Sequence, residues 1–301
     1  MIKHNPLTFT FHLFVFALTL FLAIFYPVSL TVATWKRQKR ASTNKIPRGS
    51  NLTLIALTHT SRRKVLSFYS GIALGFIALS WPIGDLARHY SLFVYLVSNS
   101  ILLLAALPLV LLGLPKWFYA EITRSRQLDR LASIATNPII STIAFSSVVI
   151  ASMVPSVVSW ETSSALYWNL FHMAECVGAA MMWFTALNLL PGLRGLGSIA
   201  RVAFLFVQSL LPTFPAIVLI FARHSMYNPY SHEAKKIGIS PLADQQLAGG
   251  TVKIISIIVF WSIAAIILAR AAKDEESGSS GPSFTWDDVE REFQRTAPID
   301  Q

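Results

Sequence analysis

The sequence predicts an all-α, polytopic membrane protein: a bundle of seven transmembrane helices with the N-terminus outside and the C-terminus cytoplasmic. Three observations lead there. Hydrophobic residues make up 53% of the 301 and charged residues 13%, where a soluble chain carries about 25% charged residues. Seven apolar stretches approach the ~20 residues that a bilayer core demands of a helix, the one open-chain structure that satisfies its own backbone there. Most of the 25 basic residues fall on one side of those stretches. The same composition excludes a soluble globular enzyme, a disordered hub and a nucleic-acid-binding domain. A single cysteine excludes an internal disulfide framework or a CxxC zinc site.

The first span is expected at Phe11–Thr34. It exceeds the roughly 7–15 apolar residues of a signal-peptide core. Lys36, Arg37, Lys39 and Arg40 follow where a small-residue cleavage site would lie, so it reads as a retained anchor. The others are expected at Leu66–Ile83, Ser91–Leu114, Pro138–Val158, Leu166–Leu190, Ile199–Ala222 and Val252–Ala271. Gly71 and Gly75 form a GxxxG on the second, a candidate close-contact site. Nineteen basic residues lie in loops one, three and five and the tail or at the adjoining span ends, five lie on the other side, and Lys253 sits near the start of span seven. The positive-inside rule then fixes the orientation, and the +10 net charge reports topology and anionic lipid headgroups.

This divides the chain into an N-terminal anchor (1–34), a basic cytoplasmic loop (35–65), a six-helix membrane core (66–272) and a cytoplasmic tail (273–301). Within the tail, Asp274–Pro282 reads as a polar linker. Thr285 and Asp288 have capping-box-like spacing, Phe284 and Val289 that of a hydrophobic staple. Trp286, Val289 and Phe293 would share one face of a short amphipathic helix, lying on the cytoplasmic loops or membrane or docking a partner.

Polar side chains inside spans are expensive and usually functional. Span five carries Asn169, His172, Glu175 and Cys176; spacings of three and four put Asn169, His172 and Cys176 on one stripe, with Glu175 beside His172. Span three begins with Tyr95 and Asn99, four apart on one face. A polar layer between the two spans is expected, on the order of 10 Å below the outer surface at about 1.5 Å per residue. A neutral imidazole and a thiolate suit a soft metal such as Cu(I), with Met173, Met181 and Met182 nearby. One His with one Cys is a thin ligand set, however, and methionines in apolar helices are usually core filler. Loop six adds His224, Met226, Tyr227, Tyr230 and His232, then a run from Ser240 to Gly249 that contains Asp244, Gln245 and Gln246. Ser240 or Asp244 would cap span seven, with the glutamines pointing into the bundle mouth.

These residues carry a resemblance. Ser240-Pro-Leu-Ala-Asp-Gln-Gln-Leu-Ala-Gly249 resembles the signature before the last helix of the caa3-type cytochrome c oxidase assembly factors (CtaG-like), seven-helix bacterial inner-membrane proteins. Ala78-Leu-Ser-Trp-Pro82, Pro108-Leu-Val-Leu-Leu-Gly113 and Tyr227-Asn-Pro-Tyr230 resemble other pieces of that family in order and spacing, and the similarity runs from about Arg62 to Ala271. The chain departs where the family carries a His-Met-x-x-His pair, having Tyr95 and Asn99. It departs again at a His-x-x-Glu-His pair, keeping His172 and Glu175 with Cys176 in place of the second histidine. Lys253 stands where the family has a Trp.

The resemblance implies a non-enzymatic helper in maturing a respiratory haem-copper oxidase. Its partners would be oxidase subunits or other assembly factors together with membrane lipid, and no nucleic acid. Copper would be handled transiently at His172 and Cys176, supported by Tyr95, Asn99, Asn169, Glu175, Asp244, Gln245 and Gln246. The competing expectations are a metal-independent scaffold for oxidase assembly and, with less to favour it, a small-solute or metal transporter. No nucleophile–base pair or cofactor motif suggests turnover of its own.

Overall fold

The computed structural model describes residues 10–40, 61–122, 125–193 and 195–276, and among these every regular element is a helix. The expected tail helix and most of the basic loop lie outside the described residues. Five helices are long and apolar enough to cross a bilayer: α1 (Leu13–Arg40), α4 (Leu92–Gly113), α9 (Ala165–Leu187), α10 (Ser198–Phe221) and α13 (Pro241–Glu276). Two bent pairs pass the same test only when taken together. They are α2 (Arg62–Leu79) with α3 (Ile83–His89), bent by 43°, and α6 (Arg126–Ala135) with α7 (Pro138–Ala151), bent by 67°. The short helices α5 (Lys116–Ile122), α8 (Pro155–Thr162), α11 (Asn228–Ser231) and α12 (Glu233–Lys236) lie in the connections.

Proline explains where three spans depart from expectation. The second expected span breaks after Leu79, just before Pro82, because the ring restricts the preceding residue and removes a helical N–H. The fourth was expected to reach Val158 but α7 stops at Ala151, and Pro155 opens a separate helix, α8. Span three keeps its expected length, yet Ile101–Ala106 winds as a π-helix. There Leu107 N–H bonds Leu102 O, five residues back. The next such bond would need an N–H from Pro108, which has none. The Leu103 carbonyl instead accepts from Trp183 Nε1 of α9 at 2.8 Å.

The last helix departs the other way. It starts at Pro241, eleven residues before the expected Val252, so the Asp-Gln-Gln run lies within it. Ser240 caps it, its hydroxyl accepting from Ala243 N at 3.1 Å. Lys253 is correspondingly well inside the helix rather than near its start.

Small residues let the helices approach. A Cβ on Gly71 would lie 2.6 Å from Ala106 O and one on Gly113 2.6 Å from Phe68 N, so α2 and α4 meet backbone to backbone. Gly75, the other half of the GxxxG, faces ordinary contacts of 3.6 Å and more. One core gathers Met182, Trp183, Leu205 and Phe260 from α9, α10 and α13; a second gathers Tyr95, Met153, Trp168, Tyr227 and Tyr230 at the end of the bundle where α4, α9 and α13 begin.

Helix α1 stands apart, with much of its surface exposed. It packs on α2 through Tyr26, stacked on Phe68 at 4.0 Å and donating to Gly113 O at 3.1 Å. At its other end His12 Nε2 approaches Asp85 of α3 at 3.3 Å, and the Thr10 hydroxyl donates to the same carboxylate. Between these two pins lies a cavity of about 320 Å³, bounded by α1, α2, α4 and α9.

Candidate functional site

Tyr95 and Asn99 project from the first turns of α4, and the start of α4 is fixed from another helix. Ser91 caps it, accepting from Val94 N at 3.2 Å. Asp244 of α13 then reaches across, accepting from the Ser91 hydroxyl at 2.5 Å and from Leu92 N at 2.7 Å. An acidic side chain at a helix start meets both the open N–H groups and the positive end of the helix dipole. Asp244 was expected to cap its own helix or shape a mouth; it caps α4, and Ser240 caps α13.

Its neighbours tie further elements to the same end. Gln245 Oε1 accepts from Met226 N at 2.9 Å, and Gln246 Nε2 donates to Ala222 O, past the end of α10, at 3.1 Å. Tyr227 Oη donates to Met153 O at 2.5 Å and Tyr230 Oη to Ala87 O at 2.8 Å. The Asp-Gln-Gln and Tyr-Asn-Pro-Tyr runs therefore knit the connections together around the buried face of α4.

Beneath that lattice lies a polar cluster sealed from solvent. Asn99 Nδ2 donates to Glu175 Oε1 at 2.5 Å, joining α4 to α9. The bond places the expected contact between spans three and five at these two residues. His172 bonds its own helix, Nδ1 to Trp168 O at 2.9 Å; a carbonyl only accepts, so Nδ1 carries the proton and Nε2 presents a lone pair. Its ring lies 4.4 Å from Trp168 and 6.2 Å from Tyr95. His172 Nε2, Glu175 Oε2, Asn99 Oδ1 and Gln245 Nε2 are buried without a hydrogen-bond partner. Buried polar atoms are rarely left so, and each calls for an explanation beyond packing.

One member was not anticipated. Glu161, in the connection between α7 and α9, is fully buried, and its carboxyl faces the Tyr95 hydroxyl without reaching normal hydrogen-bond geometry. Burial pushes the Glu161 carboxyl up to about 8, with the facing Tyr95 hydroxyl opposing that rise. In sequence Glu161 is an ordinary loop acid; Pro155, opening a short helix with Val158 and Trp160 before the acid, is the signal that could have placed it inside.

The expected stripe of α9 splits by neighbourhood. Asn169, His172 and Cys176 all line the cavity beneath α1, while Glu175 turns into the cluster with Asn99. Met182 belongs to the apolar core and Met173 is half exposed beside the cavity, so the methionines do not converge on His172. Among the described residues no three His, Cys, Asp or Glu side chains form a group able to hold a metal ion. A closed structural or catalytic metal centre, with three or four protein ligands, does not fit this donor set. The remaining donors, one imidazole nitrogen with a free lone pair and one thiol, fit a passing soft ion in a site with few ligands.

The fold and site together define an all-helical, multi-pass membrane protein whose Asp-Gln-Gln and Tyr-Asn-Pro-Tyr runs fasten the rim of a buried polar cluster. The chain belongs to the cytochrome c oxidase caa3 assembly factor family, whose model matches residues 52–274. No curated protein and no solved structure matches it.

Proposed function

We propose that this protein assists assembly of a caa3-type cytochrome c oxidase in the bacterial inner membrane, as a seven-crossing, N-out and C-in helper without catalytic turnover. Family membership supports the assembly role. Five helices are long and apolar enough to cross, and counting each of the two bent pairs as one crossing would bring the number to seven. The distribution of basic residues supports the orientation, which sets the polar cluster in the outer half of the bundle.

Copper(I) is the proposed cargo, held briefly by His172 and Cys176. The supporting observation is His172 Nε2, a buried lone pair with no partner, one helical turn from the chain's single thiol. A carrier that must release its metal needs few ligands, and imidazole with thiolate suits a soft ion. Copper(I) titration of the purified protein tests this: the wild type binds one equivalent, and His172→Ala and Cys176→Ser each weaken binding tenfold or more. Equal, negligible binding by all three removes the cargo.

A metal-independent scaffold is the second reading, favoured by the lack of any three-donor group among the described residues. It predicts that deleting residues 283–301 impairs oxidase assembly more than Cys176→Ser does.

A further inference from the structure

The cavity beneath α1 is not a solvent pocket. Its length follows the helix axes: on α1 it runs from Phe14 to Leu22, about 12 Å at 1.5 Å per residue. The walls are mostly apolar, with Thr19 on α1 and Asn169, His172 and Cys176 on α9 as the polar groups that line them. The Thr19 hydroxyl bonds Val15 O at 2.7 Å, and His172 Nδ1 is used on Trp168. Away from Asn169, His172 and Cys176, the walls offer a water few of the two to four polar partners that hold buried water in place. The slot is open between α1 and α9, where its lining residues Met173 and Val177 are 51% and 60% exposed. In a membrane-spanning bundle that opening faces hydrocarbon. On the opposite wall the slot has a floor made by glycine: Gly71 is filled by the backbone of α4, but Gly75 leaves room above it.

We infer that the slot binds one acyl chain of a membrane phospholipid, which enters between α1 and α9 and lies against the cavity-facing sides of His172 and Cys176. The elongated shape takes one chain, the walls match its chemistry, and the opening meets the bilayer at the depth where acyl chains are. Helix α1, pinned at Asp85 and at Phe68, holds the chain in place as an outer wall. This goes beyond the cargo reading and does not depend on it.

The test uses the full chain in nanodiscs made with a phospholipid bearing a photoactivatable diazirine in mid-acyl chain, with adducts mapped by peptide mass spectrometry. Wild type should concentrate adducts on the slot faces of α1 and α9 at least fivefold over the exposed face of α10. Gly75→Leu, which grows into the slot, and Val177→Trp, which obstructs its mouth from the lipid side, should each reduce slot adducts to the level of that face. Gly250→Leu, on an open surface with nothing nearby, should leave them unchanged. Slot labelling no higher than surface labelling in wild type, or labelling undiminished in both slot variants, overturns the assignment. Purified protein retaining an apolar molecule other than phospholipid in the slot overturns it too. Copper titration of the same variants reads the cargo separately, so either idea can fail alone.

Discussion

Asp244 shows how much one side chain can organise. Its carboxylate satisfies two N-terminal donors of a helix that lies 152 residues away in sequence, and that helix carries Tyr95 and Asn99. Asp244→Ala leaves Leu92 N–H and the Ser91 hydroxyl without their charged acceptor. Hydrogen bonds to charged groups are worth about 1.5–3 kcal/mol, so the variant should lose roughly that much stability in detergent unfolding, and Asp244→Asn less. Glu161 predicts a pH effect of definite sign. Its pKa is raised in the fold to about 8 from 4.5, so the folded state holds a proton that the unfolded state has shed between those values. Stability from this group is therefore complete below pH 4.5 and falls as pH climbs to 8. Thermal unfolding of wild type should show a midpoint that declines over pH 5 to 8 relative to Glu161→Gln; parallel curves would place the carboxyl in water.

Between elements, glycine and proline set the geometry. The two halves of the GxxxG look equivalent in sequence, yet only Gly71 meets backbone, at 2.6 Å from Ala106 O. Gly71→Leu should separate α2 from α4 and lower the detergent melting temperature by several degrees, while Gly75→Ala should melt with wild type. Equal losses would mean that the two helices do not touch where the structure puts them. The π-turn of α4 follows the same logic, since Pro108 withdraws the N–H that Leu103 O would have used and Trp183 replaces it. This exchange was not legible beforehand: a proline inside an apolar run announces a disturbance but not which neighbour repairs it.

For the whole molecule, what could be read from sequence was what the bilayer dictates. Hydrophobic length marked the apolar helices, and helical spacing put Tyr95 with Asn99 and His172 with Cys176 on shared faces. What escaped was tertiary. Asp244 was legible as a helix cap, but a pattern along one helix cannot say that the helix capped is another. Glu161 sits in a connection that hydropathy treats as surface, yet its short helix packs on α9 and α11 and its carboxyl faces Tyr95 of α4. Span edges moved wherever Pro82 and Pro155 ended a helix inside an apolar run, or where Ser240 allowed one to begin early.

The proposed role of this bundle is a copper-dependent step in building a caa3-type oxidase. The direct measurement is oxidase activity and haem a absorbance in membranes of a deletion strain, grown with and without added copper and complemented with wild type or His172→Ala/Cys176→Ser. The account predicts that deletion abolishes activity, that added copper restores much of it, and that wild type but not the double variant complements at low copper. Normal oxidase activity in the deletion strain at limiting copper would contradict it.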